Sequence, residues 1–173
     1  MKYWGVAGLI FGSLIVQVSA LDKAVIHGVK PDLLLLLAVA LGILYGPKTG
    51  AAVGFAGGIL QDLLLGQYIG LHAFSKALTG AVAGLVEREV FKENLILPIF
   101  AGFIGTVVNE VTIFALLHLF GRRMELGYSW RTIILPVAVY NTVLHPFLYG
   151  LLFRLASSWR AQAAARAEGR KGP

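Results

Sequence analysis

Hydrophobic residues occur along this chain in long runs separated by short polar links, a pattern that predicts membrane-spanning helices. The first run, Tyr3–Leu21, contains nineteen residues without a charge, which is enough to cross a hydrocarbon core about 30 Å thick. Lys2 before it and Val18-Ser19-Ala20 near its end imitate a secretory signal, but the run is longer than the apolar region of a signal. We therefore expect an uncleaved first helix.

Five further runs predict five further helices. Pro31 and Asp32 open the second helix, because proline suits the first helical turn and an acid complements the positive helix end. The remaining runs predict Leu33–Tyr45, two helices within 46–87 joined by a turn at Gly66–Gly70, Leu95–Phe120 and Ile133–Phe153. The expected fold is an all-α membrane protein. It is a bundle of six transmembrane helices in a single domain at 1–153, followed by a basic cytoplasmic tail at 154–173.

Glycines recur at intervals of four in the central part of the chain. On a helix this spacing places them in one row, which is unfavourable in water because an interior glycine costs about 1 kcal/mol relative to alanine. In lipid the same row lets a second helix approach closely. We therefore expect tight helix packing at a row that contains Gly50, Gly54, Gly58, Asp62, Gly66 and Gly70. A shorter motif in the first helix, Gly8 and Gly12, is interpreted as a second packing face, internal or for a partner.

Asp62 and Lys76 are charged residues inside predicted helices. Counted from the turn between them, they lie at about the same depth, roughly 6 to 9 Å below it at 1.5 Å per residue. Ionised side chains inside a bilayer normally face the bundle interior and find partners there. We therefore expect Asp62 and Lys76 to form a buried pair, and we favour a structural role over a proton or ligand site.

A second polar group is expected between the fifth and sixth helices. Asn109 and Glu110 lie near the middle of one helix, and Asn141 and His145 lie on one face of the other at a similar depth. Pro146 predicts a kink in the same turn. Glutamate with histidine can bind a metal or move protons, but the chain has no HExxH motif and no second histidine at ligand spacing. Structural hydrogen bonding is therefore favoured, and no metal or cofactor is expected.

The composition indicates an integral membrane protein without a catalytic centre. Hydrophobic residues make up 57% of the chain and charged residues 14%, against roughly 25% charged residues in soluble domains. Cysteine is absent, which excludes disulfides, thiolate metal sites and a cysteine nucleophile. The chain contains no Gly-x-Ser-x-Gly motif of the kind that indicates a serine hydrolase. No catalytic residue is therefore predicted.

The net charge of +6 comes mainly from basic residues at the membrane edges and in the tail. Anionic lipid is therefore favoured over nucleic acid as their partner. Six spans put both termini on one side of the membrane, which carries nine Lys and Arg residues against five on the other side. The positive-inside rule makes the terminal side cytoplasmic. The tail is expected to be a helical end that lies along the membrane surface.

The central stretch, Pro31–Gly80, resembles a known family. It reads PDLLLLLAVALGILYGPKTGAAVGFAGGILQDLLLGQYIGLHAFSKALTG, in which Pro-Asp opens a leucine-rich helix and Gly-Pro, the glycine row, Gln-Asp-Leu-Leu and Gly-Leu-x-Ala follow. This order is similar to that of MreD, the rod shape-determining family of the bacterial cell-wall elongation machinery. The resemblance implies a six-helix inner-membrane protein without catalytic activity. It also implies a single-span partner, MreC, and through it the MreB filament, RodA and the elongation transpeptidase.

Two functions remain as hypotheses. The first is a membrane scaffold whose small-residue faces bind the transmembrane helix of a partner. The second arises because the MreD fold is similar to the substrate-binding subunits of energy-coupling-factor transporters. It is a transporter subunit with a ligand pocket walled by Asn109, Glu110, Asn141 and His145. The links between the helices are short, which favours the scaffold. The sequence leaves open which helix face meets the partner and whether the chain forms a homodimer.

Overall fold

The computed structural model describes residues 3–19, 30–66, 68–85, 96–122 and 125–169. All regular structure in these ranges is helical, so the all-α prediction is confirmed for them. The helices are α1 (Tyr3–Ser19), α2 (Leu33–Tyr45), α3 (Pro47–Leu65), α4 (Leu71–Ala83), α5 (Ile96–Leu119), α6 (Leu126–Ser129) and α7 (Leu135–Gly169), with a π-helical turn at Trp130–Ile134. The predicted end of the fourth helix at Glu87–Glu89 lies outside the described residues.

Helix α2 forms the centre of the bundle. Residues Leu34–Leu44 are all buried, which is the environment expected for a helix that is apolar on every side. The helix begins where the Asp32 carboxylate accepts a hydrogen bond from the Leu35 N–H at 2.9 Å. It ends at Gly46, whose φ of 97° is unfavourable for any residue with a side chain, and Pro47 then begins α3. The bounds predicted for this helix are confirmed.

Helices α3 and α4 run antiparallel, and their backbones touch along the glycine row. A Cβ atom built at Gly50 would overlap the carbonyl group of Gly80, and one at Gly54 would overlap the α4 backbone. One turn further on, Gly58 lies against the backbone of Ala73. Small residues permit this close approach, so the first three glycines of the row are occupied inside the bundle.

Two helical segments of the described chain are long and apolar enough to cross a membrane. They are 98–119 in α5 and 127–158, which extends from α6 into α7. Helices α1 and α2 are apolar but shorter. At 1.5 Å per residue, the 13 residues of α2 span about 20 Å, less than a hydrocarbon core of about 30 Å. Helix α2 is therefore recognised as the central helix of the bundle by its complete burial and not by its length.

The last helix differs most from its prediction. The sequence predicts Ile133–Phe153, but helical structure begins at Leu126, passes through the π-helical turn and continues without a break to Gly169. Pro146 lies inside α7 and does not end it. The 35 residues of α7 span about 52 Å, so this helix extends beyond a hydrocarbon core of about 30 Å. The expectation of a helical tail is therefore confirmed for 154–169, which prolong α7, while its position along the membrane surface stays a prediction.

Candidate functional site

A buried ion pair joins α4 to the start of α2. Lys76 is completely buried, and its Nζ atom donates a hydrogen bond to Oδ2 of Asp32. Pairing offsets the free-energy cost of holding the two charges away from water. The predicted pairing of Lys76 with Asp62 is therefore wrong. The turn between α3 and α4 fixes the depth of each side chain but not its direction, and Lys76 points toward α2.

Asp62 is also completely buried, but it closes the turn between α3 and α4. Its carboxylate accepts hydrogen bonds from the backbone N–H groups of Gly70, His72 and Ala73 at 2.8, 3.1 and 3.1 Å, and from His72 Nδ1 at 2.7 Å. The first N–H groups of a helix have no acceptor within the helix and attract negative charge. The N-cap residue of α4, Gly70, supplies no side-chain acceptor. Asp62 therefore caps α4 from the preceding helix.

Asn141 extends the ion pair into a hydrogen-bond network across four helices. Its Oδ1 atom accepts from the Asp32 N–H at 3.0 Å, and its Nδ2 atom donates to Thr106 Oγ1 at 3.0 Å. Both Asn141 and Thr106 are completely buried. Asp32 at the start of α2, Lys76 on α4, Thr106 on α5 and Asn141 on α7 thus form one connected polar centre. We call these four residues the polar network.

Sequence reasoning misses two members of the polar network. It assigns Asp32 only the role of opening α2, whereas the carboxylate does that with Oδ1 and binds Lys76 with Oδ2. The signal that could identify Asp32 is the need of Lys76 for an acid near the same membrane face. Thr106 carries no such signal, because threonine in an apolar helix commonly bonds its own backbone. It does so here as well, to the Gly102 carbonyl at 2.7 Å.

The four polar residues predicted between the fifth and sixth helices do not form one cluster. Asn109 Nδ2 donates to Glu110 Oε1 at 3.0 Å, whereas Asn141 belongs to the polar network. His145 Nδ1 donates to the carbonyl oxygen of Pro98 at 2.5 Å. Two buried atoms, Asn109 Oδ1 and His145 Nε2, have no hydrogen-bond partner among the described residues. The hydrogen bonds of these four residues therefore go to different partners, and none of them joins the two predicted pairs.

A pocket of about 490 Å³ lies at the end of the bundle opposite the first residues of α1. Helices α1, α3, α4, α5 and α7, together with the three residues that precede α2, contribute to its wall. Six polar side chains line it: Gln17, Lys30, Asp32, Gln61, His72 and Glu110. Of the residues predicted to wall a ligand pocket, Glu110 lines this one, while Asn109, Asn141 and His145 do not. The polar network lies directly behind the pocket, because Asp32 belongs to both.

The chemistry that this pocket offers is binding through a carboxylate. Asp32 is engaged by Lys76, whereas Glu110 accepts one hydrogen bond from the described residues, that of Asn109. Glu110 can therefore receive a hydrogen-bond donor or a cationic group of a bound molecule. Across the ranges that the structure describes, no three His, Asp or Glu side chains come together as a metal site would require.

The predicted packing glycines divide into three groups. Three of them, Gly50, Gly54 and Gly58, lie in the contact between α3 and α4. Gly66 has a φ of 65° and ends α3, and a Cβ atom there would meet nothing within 4 Å. Gly8 and Gly12 are exposed on α1, and a Cβ atom at either would also meet nothing within 4 Å. The described part of the chain therefore leaves the α1 glycine face open.

Comparison with known protein families gives one match. The family model described as rod shape-determining protein MreD matches residues 3–155. This range includes α1 to α6 and the greater part of α7, and with them the pocket, the polar network and both glycine faces. Neither a curated protein nor a solved structure matches the chain.

Proposed function

Because the chain belongs to the MreD family of rod shape-determining membrane proteins, we propose that it is a non-catalytic scaffold of the cell-wall elongation machinery. The scaffold lies in the bacterial inner membrane and binds the transmembrane helix of MreC. Through MreC it is connected to the MreB filament, RodA and the elongation transpeptidase. Loss of this contact would then disturb the rod shape of the cell.

The open glycine face of α1 is the observation that carries the proposal. Helix association in lipid depends on close packing, which small residues allow. On α3 the glycines already contact α4, whereas no helix of the described chain lies opposite Gly8 and Gly12. Phe11 and Ile15, which are 54% and 63% exposed, flank this face and would pack around an incoming helix. The α1 glycine face therefore supports binding of a partner helix.

The proposed orientation has six spans with both termini in the cytoplasm. The distribution of basic residues supports it, with nine Lys and Arg residues on the terminal side against five on the other. In this orientation the pocket beside Glu110 opens on the outer side, and the projecting end of α7 lies on the side of the MreB filament. A topology reporter fused after Pro173 should be active in the cytoplasm. Periplasmic activity would overturn the orientation or the number of spans.

Complementation combined with co-purification tests the binding of MreC. In a rod-shaped host that lacks its own copy, the wild-type chain should restore rod shape and co-purify with MreC. Gly8→Leu together with Gly12→Leu should abolish both results. Gly150→Leu on α7 is the matched control, because a Cβ atom at Gly150 also meets nothing within 4 Å. Rescue that persists when co-purification is lost would contradict the scaffold.

The pocket favours a second candidate function, that of a small-molecule-binding subunit of a transporter. Its volume of about 490 Å³ lies in the range typical of ligand sites, and its wall contains the carboxylate of Glu110. Mass spectrometry of molecules retained by the purified protein distinguishes the two functions. A stoichiometric vitamin-like molecule that is lost in Glu110→Gln, but kept in His145→Asn, would replace the scaffold with the transporter subunit.

A further inference from the structure

A second cavity lies between α1 and α3, in the half of the bundle where the chain begins. Its volume is about 460 Å³, and its walls are apolar side chains within Val6–Ile10 of α1 and Ala52–Ala56 of α3. Ala52 and Ala56 are exposed, so the cavity is open to the surroundings of the bundle. We call this cavity the α1–α3 groove. For a protein in a membrane, its open side faces lipid.

The length of the α1–α3 groove matches one leaflet of a bilayer. It extends along α3 from Lys48 to Ala56, and eight residues at 1.5 Å each give about 12 Å. Half of a hydrocarbon core of about 30 Å is about 15 Å. A groove for the helix of a partner would have to continue through both leaflets. These dimensions therefore fit an acyl chain of one leaflet better than a second helix.

The end of the groove at the membrane face is polar and positively charged. Tyr45, Lys48 and Thr49 line it there, and Lys48 is exposed. No carboxylate of the described residues pairs with Lys48. This lysine also belongs to the first turn of α3, where no side chain caps the N-terminus and the helix dipole attracts negative charge. The groove thus combines an apolar slot with a cationic end.

We propose that the α1–α3 groove binds one anionic phospholipid from the leaflet on the side where the chain begins. One acyl chain lies between α1 and α3, and the phosphate group lies beside Lys48 and the first turn of α3. This site differs from a general attraction of lipid to the basic end of α7, because it requires a slot of defined shape. It is also independent of the α1 glycine face, which lies on a different side of α1.

Lipid competition with the full-length protein tests this proposal. The protein is reconstituted in nanodiscs of equal phosphatidylglycerol and phosphatidylcholine, and the retained lipid is then counted by native mass spectrometry. We expect one retained phosphatidylglycerol with a preference of about fivefold, the ratio that one lysine near a surface supplies. Lys48→Gln should remove the preference. Ala52→Leu with Ala56→Leu should remove retention of both lipids, because leucine fills the slot.

Two variants outside the groove serve as controls. Arg154→Gln removes an exposed cation on the same side of the bundle, and Ala115→Leu adds the same bulk to an exposed position of α5. Both should keep the preference of the wild-type protein. Absence of retained lipid, equal retention of the two lipids, or a preference that survives Lys48→Gln would overturn the proposal. It would also be overturned if co-expressed MreC displaced the lipid and cross-linked to Ala56→Cys, because the groove would then be a protein interface.

Discussion

Two helices of this chain carry glycines four residues apart, and the structure uses the two motifs in opposite ways. On α3, Gly54 lies against the backbone of α4, where even a single carbon atom would overlap. On α1, Gly8 and Gly12 have no neighbour within 4 Å of the place where a Cβ would be. The same spacing therefore indicates a capacity for close packing. Whether a helix of the same chain packs against the face depends on whether the neighbouring helices carry matching small residues.

The neighbours of α3 supply matching small residues. Gly42 on α2, Gly50 on α3 and Gly80 on α4 meet at one point, where a Cβ atom on any of them would overlap a backbone atom of another. The three helices thus pack closely against one another through their backbones. Helix α1 contacts α2 and α3 through larger side chains, such as Ile10, which is 6% exposed and belongs to the core. Its glycines face away from that contact, and no helix of the described chain covers them.

The largest expected effect comes from a larger side chain in the α3–α4 contact. We call this contact the closed face, because α4 covers Gly50, Gly54 and Gly58 there. Gly54→Leu should lower the free energy of unfolding by more than about 4 kcal/mol, because the atoms it would overlap are backbone and cannot move aside. Thermal unfolding and size-exclusion chromatography of detergent-solubilised protein measure the loss. Ala115→Leu, at an exposed position of α5, is the control and should behave like the wild-type protein. Equal tolerance of both changes would mean that the α3–α4 contact is not formed.

The next largest effect concerns the ion pair beside the closed face. Lys76→Met leaves the carboxylate of Asp32 without its partner and should cost about 3 to 5 kcal/mol. A double-mutant cycle of Asp32→Asn and Lys76→Met should show strong coupling. The cycle of Asp62→Asn and Lys76→Met should be additive within about 0.5 kcal/mol. Coupling in the second cycle instead of the first would restore the pairing that helix depth alone predicts.

The polar network shows why the fold could be predicted further than the site. Turn residues define helix ends locally, so Pro31 and Asp32 before α2 and Gly46 after it are sufficient for its bounds. The partner of Lys76 depends on how α2, α3 and α4 are rotated about their axes, and that rotation results from packing of the whole bundle. Sequence spacing therefore gives the depth of Lys76 in the bundle but not its neighbour.

The pocket was beyond sequence prediction for a related reason, whereas the helical end of α7 was predicted in part. Hydropathy ends the apolar segment at Phe153, but alanine-rich sequence with good helix propensity carries the helix on to Gly169. The pocket wall combines Gln17 of α1 with Glu110 of α5, residues of three other helices and the segment before α2. No local sequence pattern predicts this combination. Each of these polar residues, taken alone, is consistent with a position at the membrane edge or with an internal hydrogen bond.

A smaller effect is expected at the turn that holds the closed face together. Asp62→Asn keeps the shape of the side chain but removes the charge that faces the N–H groups of Gly70, His72 and Ala73. The loss should be about 2 kcal/mol, which is the scale of hydrogen bonds to a charged group. Glu125→Gln, at an exposed acid between α5 and α6, is the control and should stay within about 0.5 kcal/mol of the wild-type protein. An unchanged unfolding midpoint for Asp62→Asn would show that the carboxylate does not cap α4.

The smallest effect on the stability of the isolated protein is expected at the α1 glycine face. There the contrast with the closed face of α3 can be tested most directly. Gly8→Leu fills empty space and should change the free energy of unfolding by no more than about 0.5 kcal/mol. A ligand that binds only the folded protein stabilises it by about 2.7 kcal/mol at a concentration of 100 times its Kd. A peptide of the MreC transmembrane helix should therefore raise the unfolding midpoint of the wild-type protein and of Gly150→Leu, but not that of Gly8→Leu. Stabilisation of all three to the same extent would place the partner on another face. A loss of stability in Gly8→Leu without peptide would mean that another part of the chain packs against the α1 glycine face.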